Sequence, residues 1–320
     1  MPLAPLAAGV RRISREAAIG IQHRVVRRSG CITAPGNLLV NMGACMANRS
    51  YLYSLSNRPT SYEDRPQTIS GLSEWAYDVP FMYRLLMSGD PQLCASLVSD
   101  GLDDSKMPLY AVSSPFDPGF ARVRRFVAIV RVLISGHAAQ KPAVTAAEAP
   151  ERTLIDRMRR WAGLASASPA PKPAPELTPA AAPAAVDHLP GWLDETLAFL
   201  EQHRDPYLLL ETIELDVMSE SEADALRVLV EAEIDRCRRV GAAVDALPND
   251  PTEAARVLQR AAAERGGAPL DAFFGLRFDD HCDSTRTHAT EYPLGLEWSE
   301  TLYFTLFNRD QFEARRKEPD

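Results

Sequence analysis

A Pro- and Ala-rich stretch, residues 165–183, divides this 320-residue chain and limits its fold more than any other feature. Proline fixes φ and lacks a backbone N–H, so runs of Pro and Ala stay extended and add little to a packed core. We therefore predict a linker over residues 137–186, containing one short amphipathic helix at 151–164. Ordered α/β parts are expected over 46–136 and 187–312, and we predict that the two parts pack together as one domain.

Strand and helix patterns follow each other irregularly on both sides of the linker. Tyr51, Tyr53 and Leu55 occupy alternate positions, so they share one face of a predicted strand over residues 50–55. Helices are predicted over residues 81–87, 118–136, 190–200, 222–240 and 252–265, and a further helix is predicted to begin at Pro91. Further strands are predicted over residues 108–112, 206–217, 273–278 and 301–307. Because these elements do not alternate strictly as βαβ units, we predict an α+β fold, a mixed sheet with packed helices that is interrupted by the linker.

The charge of the chain is unevenly divided. Residues 1–45 hold six arginines and one acid and so carry +5, whereas the whole chain carries −8. Residues 46–320 therefore carry −13, and a body this acidic repels phosphate backbones and attracts basic partners. The sequence thus predicts a basic protein partner and no binding to nucleic acid.

The cellular location is inferred from apolar runs and cysteines. No apolar run in the sequence is long enough to cross a bilayer, which predicts no membrane interaction. Five cysteines without a CxxC pair are typical of reduced thiols. We expect a cytoplasmic protein.

The basic leader, residues 1–45, has three open interpretations. It resembles a mitochondrial transit peptide because it is rich in Arg and poor in acids. It could also be a basic binding tail. The interpretation that we prefer is a mis-assigned start, with Met46 as the natural first residue, because codons for Gly43 can spell a ribosome-binding sequence just upstream of Met46. We predict that this leader and the tail, residues 313–320, are disordered.

The densest polar cluster, residues 279–283 with His288 nearby, is a weak candidate metal site. His281, Cys282 and His288 are the residue types that bind transition metals. An acidic surface turn explains the same residues equally well, because His281 and Cys282 are adjacent and would point apart on a strand. No cofactor-binding or catalytic motif is found in the sequence, so no cofactor and no catalytic residue are predicted.

Three acids follow a buried strand segment at Glu211, Glu214 and Asp216. On a strand, Glu214 and Asp216 would share one face, where carboxylates can act as acid and base or bind a divalent ion. Strand ends that emerge into solvent also carry acids, and no paired His or Lys accompanies these three.

A segment with two large aromatic and two acidic side chains is the candidate partner-binding site. It contains Glu74, Trp75, Tyr77 and Asp78, in what the sequence predicts to be a loop. Trp and Tyr flanked by charge are typical of interaction hot spots. They are also typical of a loop that its aromatic side chains anchor to the core, which is the interpretation that we prefer.

Four segments of the chain resemble a family of uncharacterised bacterial proteins whose members begin at the methionine of an M-x-N-R-S-Y-L-Y motif. They are MANRSYLY at 46–53, GLSEW at 71–75, LMSGDP at 86–91 and YPLGLEWS at 292–299. The resemblance covers most of residues 46–310 and leaves out the linker. It implies a bacterial, cytosolic protein that starts at Met46, and it carries over no activity and no catalytic residue.

Three functions follow from these observations. The acidic body, the absence of catalytic motifs and the segment around Trp75 favour a protein-binding module, such as an immunity or antidote protein that neutralises a basic toxin. The first alternative is a metal-assisted hydrolase that uses the 279–288 loop or the pair Glu214 and Asp216. The second alternative is a structural subunit. Binding is favoured over enzymatic activity.

Overall fold

The computed structural model describes residues 48–98, 108–140, 188–283 and 290–317. The leader, the helix predicted at 151–164 and the Pro- and Ala-rich stretch lie outside these residues. Among the helices in the described ranges, none combines the length and the apolar character that a membrane crossing requires.

Five strands and seven α-helices, numbered here in chain order, make up the regular structure of the described residues. The strands are β1 (Arg49–Leu55), β2 (Ile69–Ala76), β3 (Gln92–Ala95), β4 (Tyr110–Pro115) and β5 (Tyr207–Glu211). The helices are α1 (Phe81–Leu86), α2 (Phe116–Gln140), α3 (Leu189–Gln202), α4 (Ile213–Asp216), α5 (Ala223–Asp245), α6 (Pro251–Ala263) and α7 (Arg309–Lys317). Short 3-10 turns lie at Met87–Gly89 and Leu270–Phe273.

The strands form one sheet in the order β2-β1-β5-β4-β3. The α+β prediction is confirmed. All four pairings between these strands are antiparallel, whereas the expected mixed sheet allowed for parallel pairs as well. The central strand, β5, follows the Pro- and Ala-rich stretch in sequence and lies between β1 and β4, which precede that stretch. Both parts of the chain therefore contribute to the same sheet.

Side chains alternate between the two faces of the sheet and build a core on each. The face that joins the main core with the helices carries Leu52, Leu72, Val112, Leu208 and Leu210. The other face carries a smaller cluster of Tyr51, Tyr53, Leu55, Cys94, Ala111 and Leu209. Leu302 and Leu306 cover this second face, and the Tyr53 hydroxyl donates to the Phe304 carbonyl at 2.8 Å. Both faces are thus sealed from water, one by helices and one by an irregular segment near the C-terminus.

Aromatic rings dominate the main core. The ring of Phe81, at the start of α1, lies 4.8 Å from the ring of Phe126 on α2 and 5.9 Å from that of Phe273. All three side chains are fully buried. Because the rings come from distant parts of the chain, their burial fixes α1 and α2 against the turn after α6.

Two predictions for segments of the sheet were wrong. A helix was predicted from Pro91, but the strand β3 forms there and pairs with β4. The local sequence around Gly89 and Pro91 does not determine the structure of so short a segment, and the pairing with β4 does. The strand predicted over residues 206–217 ends at Glu211, and α4 follows. There the amides of Leu215 and Asp216 both donate to the Thr212 carbonyl, which closes a helical turn in place of an extended strand.

Two more predicted strands, 273–278 and 301–307, do not form. The first is replaced by a 3-10 turn and a single bridge between Leu276 and Tyr292, because Phe273 turns inward to the core. The second packs side chains on the sheet face without pairing as a strand. The helix predicted to end at Gly136 continues to Gln140, since glycine without a cap or a tertiary contact need not end a helix.

The tail predicted to be disordered from residue 313 is helical to Lys317, as part of α7. Its first turn has a reciprocal cap, since the Gln311 amide donates to the Asn308 side chain at 3.0 Å and the Asn308 amide donates to the Gln311 side chain at 3.0 Å. Phe312 then packs edge-on against the ring of Tyr62. Capping and one aromatic anchor therefore order this segment.

Candidate binding cleft

The candidate partner-binding residues are divided between a strand and a turn. Glu74 and Trp75 lie in β2 and not in a loop; Glu74 forms an ion pair with Arg49, and Trp75 packs half-buried against the main core. Tyr77 and Asp78 lie in the turn after β2. The structure therefore assigns Trp75 to the core and leaves Tyr77 exposed.

Tyr77 has a backbone conformation that is unusual for a residue with a side chain. Its φ is +63°, in the left-handed region, and its side chain is 59% exposed. The turn is held on both sides, because the Tyr77 amide donates to the Asn48 carbonyl at 2.8 Å and the Ser50 hydroxyl donates to the Asp78 carbonyl at 2.7 Å. A left-handed tyrosine costs conformational energy, and here it presents an aromatic ring to solvent.

Tyr77 and Asp78 form one wall of a cleft of about 340 Å³. The opposite walls come from α4 and the turn after it, and from α5. The lining residues are Tyr77, Asp78, Val79, Arg84, Thr212, Leu215, Asp216, Ser219, Leu229, Glu233 and Arg236. Val79, Leu215 and Leu229 supply apolar surface, so the cleft can hold an aliphatic chain with a charged end.

A buried ion network forms the floor of the cleft. Arg84 on α1 donates to both carboxylate oxygens of Glu233 on α5, at 2.5 Å from Nε and 3.1 Å from Nη2. It also donates to the Tyr292 hydroxyl at 2.6 Å. Burial opposes the charge of Arg84, but Tyr292 and Glu233 outweigh it and raise the pKa of the guanidinium. Arg236 donates to Glu233 as well, at 2.7 Å, with its own side chain 44% exposed.

Asp216 is a half-buried carboxyl in the cleft lining. Burial raises the pKa of Asp216 to about 6, whereas the hydrogen bond that the Thr212 hydroxyl donates at 2.7 Å lowers it. Glu233 raises the pKa further, and Arg236 lowers it. Asp216 therefore carries its negative charge at pH 7 and loses it in mild acid.

The three acids at 211, 214 and 216 do not converge on one site. Glu214 accepts from the Arg49 amide and the Tyr51 hydroxyl, each at 3.0 Å, so both of its oxygens have partners. Glu211 is fully buried away from the cleft, whereas Asp216 lines it. The shared strand face predicted for Glu214 and Asp216 is wrong, because α4 replaces the strand there.

The weak metal candidates are dispersed in a comparable way. The His281 side chain is exposed, and its amide donates to the Asp279 carboxylate at 2.9 Å, while Cys282 is buried. Burial raises the pKa of the Cys282 thiol, which disfavours the thiolate that a metal requires. His288 lies outside the described residues. Within the described ranges, no group of three His, Cys, Asp or Glu residues is arranged to hold a metal ion.

Sequence reasoning found Tyr77, Asp78 and Asp216 but missed Arg84, Glu233 and Arg236. The sequence does contain one indication of this ion pair: Glu233 lies between Val230 and Cys237 on the apolar stripe of α5. An acid on such a stripe is buried, and a buried acid needs a cationic partner. Its partner Arg84 lies 149 residues away in sequence, and no local pattern connects the two.

Comparison with protein families gives one match. Residues 56–162 match a domain of unknown function, DUF7822. The resemblance to an uncharacterised family is thereby confirmed, although the MANRSYLY motif lies before the matched residues. The DUF7822 match covers about a third of the chain and reaches into the linker predicted from residue 137.

The cleft combines residues from inside and outside the DUF7822 match. Tyr77, Asp78 and Arg84 lie within it, whereas Asp216 and Glu233 follow it. The description of DUF7822 assigns no activity. No curated protein and no solved structure matches the chain.

Proposed function

We propose that this protein is a protein-binding module, and that its cleft and the cleft rim bind a basic protein partner. A single observation carries the proposal: three exposed apolar side chains border an acidic cleft. Tyr77 is 59% exposed, Val217 40% and Met218 60%. Val217 and Met218 lie in the turn between the cleft residues Asp216 and Ser219. Exposed aromatic and Met side chains around a concave site are typical of protein contacts.

The charge of the cleft favours a cationic group. Its lining holds three carboxylates, from Asp78, Asp216 and Glu233, and two guanidiniums, from Arg84 and Arg236. Both guanidiniums donate to Glu233, and Arg84 also forms an ion pair with Asp78 at 3.8 Å, so three carboxylates against two guanidiniums leave one negative charge in excess. Residues 46–320 carry −13, which would attract a basic partner over a longer range. An immunity or antidote protein directed against a basic toxin is the specific form of this function that we favour.

Replacement of Tyr77 by glycine tests the proposal and separates binding from folding. Glycine adopts positive φ readily, so Tyr77→Gly should leave the unfolding free energy within about 1 kcal/mol of the wild type. Loss of the exposed ring should weaken the partner complex about 30-fold, as expected for an aromatic hot spot. The full chain serves as bait, the captured protein is expressed separately, and the affinity of the purified pair is measured calorimetrically.

Phe307→Ala is the matched control, since Phe307 is an exposed aromatic residue that is absent from the cleft lining. It should leave the affinity unchanged. The wild-type affinity should also fall as salt is raised, because exposed charges are screened. Equal affinity for wild type and Tyr77→Gly, or a complex indifferent to salt, would contradict this function.

A second variant tests the cationic contact. Asp216→Asn removes one charge with little change of shape, and we expect about tenfold weaker binding of the same partner at pH 7. Asp235→Asn is the control on α5, because Asp235 lies outside this cleft. Lowering the pH through 6 should weaken the wild-type complex and not the Asp216→Asn complex, since protonation removes the charge of Asp216. The same pH dependence in both proteins would exclude Asp216 as the contact.

A further inference from the structure

Glu211, the last residue of the central strand β5, is a carboxyl with no solvent exposure. Its two oxygens accept hydrogen bonds from the segment after β3: Oε1 from the Leu97 amide at 2.8 Å and Oε2 from the Ser96 hydroxyl at 2.9 Å. Both donors are neutral. Among the described residues, no Lys, Arg or His forms an ion pair with Glu211, unlike the buried Glu233. A buried carboxylate held by neutral donors alone is costly, so the protonated form is favoured.

The groups around Glu211 include one cation, which favours the ionised carboxylate but does not outweigh the effect of burial. Tyr51 on β1 lies opposite Glu211 in the pairing of β1 with β5. The other titratable or charged groups near Glu211 are Tyr53 from β1, Cys94 from β3, Arg65 from the loop after β1 and Asp216 from α4. Only Arg65 is cationic. Its Nη1 donates to the Leu97 carbonyl at 2.9 Å, and its guanidinium lies over the rings of Tyr62 and Phe312 at 4.3 and 4.5 Å.

The segment that Glu211 holds is short and well buried. Leu97 and Ser96 are each 1% exposed, and the Val98 amide donates back to the Ser96 hydroxyl at 3.1 Å. The Ser96 hydroxyl oxygen has two lone pairs, and the Val98 amide uses one of them. The second can accept a hydrogen bond from a protonated Glu211 oxygen, whereas an ionised Glu211 accepts from the Ser96 hydroxyl. The hydrogen-bonded arrangement is compatible with a proton on Glu211.

We propose that Glu211 is a proton-linked latch: its protonated carboxyl keeps residues 96–98 closed against the end of β5, and opening of this segment releases the proton. Opening exposes the carboxyl to water, where it ionises freely. The latch goes beyond the proposed binding function, because it assigns a role to a buried acid outside the cleft lining.

The direction of the pH dependence follows from linkage. Burial raises the pKa of Glu211 from 4.5 to about 7, with the Leu97 and Ser96 hydrogen bonds and Arg65 opposing the shift and Asp216 adding to it. Between these two values the closed form holds a proton that the open form lacks, so rising pH favours opening. Below about 4.5 both forms are protonated, and above about 7 both are ionised, so the dependence vanishes outside this window.

Hydrogen exchange of the full chain tests the latch. The protection of a peptide covering residues 96–98, corrected for intrinsic exchange rates, should fall by up to about tenfold per pH unit between pH 5 and 7 and then level off. In Glu211→Gln the protection should not vary with pH. Glu214→Gln is the control, because this neighbouring acid does not contact the segment, and it should keep the wild-type dependence.

Three results would overturn the latch. Protection in Glu211→Gln could follow pH as in the wild type. A peptide from α2 could show the same dependence as residues 96–98, which would indicate global unfolding. Finally, carbon-13 NMR of the wild-type Glu211 carboxyl, which requires no variant to fold, could give a titration midpoint near 4.5 in place of one near 7.

Discussion

Gly119→Ala is expected to lose at least about 4 kcal/mol of unfolding free energy, or to prevent folding altogether, because α1 and α2 touch at this glycine. A Cβ at position 119 would lie 1.7 Å from the Leu86 carbonyl oxygen and 2.7 Å from the Leu86 carbonyl carbon. Both atoms belong to the backbone, so no side-chain rotation relieves the contact. Since α1 and α2 bring Phe81 and Phe126 together, separating the helices would also open the main core. Urea denaturation followed by circular dichroism measures the loss.

The same helix provides the matched control. Gly136, near the other end of α2, has no atom within 4 Å of a Cβ built upon it. Gly136→Ala should therefore gain about 0.5–1 kcal/mol from helix propensity alone. If the two substitutions changed stability by the same amount, the close approach of α1 to Gly119 would be disproved.

Arg84→Ala should have the next largest effect, a loss of about 3–5 kcal/mol in the free energy of unfolding. The substitution leaves the buried Glu233 carboxylate with Arg236 as its remaining hydrogen-bonding cation among the described residues, and the Arg236 side chain is 44% exposed. It also removes the donor that binds the Tyr292 hydroxyl. The cost arises more from a buried carboxylate that keeps one half-exposed cation than from the lost contact. Chemical denaturation at pH 7 gives the difference.

A double-mutant cycle tests whether the loss of stability comes from the buried charge of Glu233. Arg84→Met with Glu233→Leu removes both charges and keeps apolar volume, so most of the loss should be recovered. Arg227→Ala is the surface control: Arg227 pairs with Glu231 at 2.8 Å on the exposed side of α5, and its loss should change the unfolding free energy far less than the loss of Arg84. Additive losses in the Arg84 and Glu233 variants would show that their pairing contributes nothing beyond packing.

Periodic patterns in the sequence predicted the long helices well, because burial of one apolar stripe determines both their existence and their orientation. Residues 222–240 and 252–265 were recognised in this way, and α5 and α6 form there. Short elements depend on partners that the local sequence does not reveal. β3 is a strand because β4 lies beside it, whereas residues 301–307 have strand-like composition but pack Leu302 and Leu306 on the sheet face without pairing with a strand.

The cleft was predictable only in part, for a related reason. Tyr77 and Asp78 were chosen from composition, and the exposed position of Tyr77 depends on the left-handed turn that follows β2. The same reasoning placed Trp75 in a loop, although the bonding of β2 to β1 places it in the sheet. The Arg84–Glu233 pair joins α1 to α5 over 149 residues of sequence, and such distant partners are fixed by the whole fold.

The position of β5 has a consequence for how this protein is made. Without residues 207–211, the chain up to α2 holds two separate ribbons, β1 with β2 and β3 with β4, and the inner edges of β1 and β4 have no neighbour. Unpaired strand edges recruit other chains, so we expect a nascent polypeptide whose residues 207–211 have not yet left the ribosome to be prone to aggregation. The region matched by the family model ends before β5, so we expect that it does not fold alone. Two fragments separated within the Pro- and Ala-rich stretch should reassemble by inserting β5 between β1 and β4.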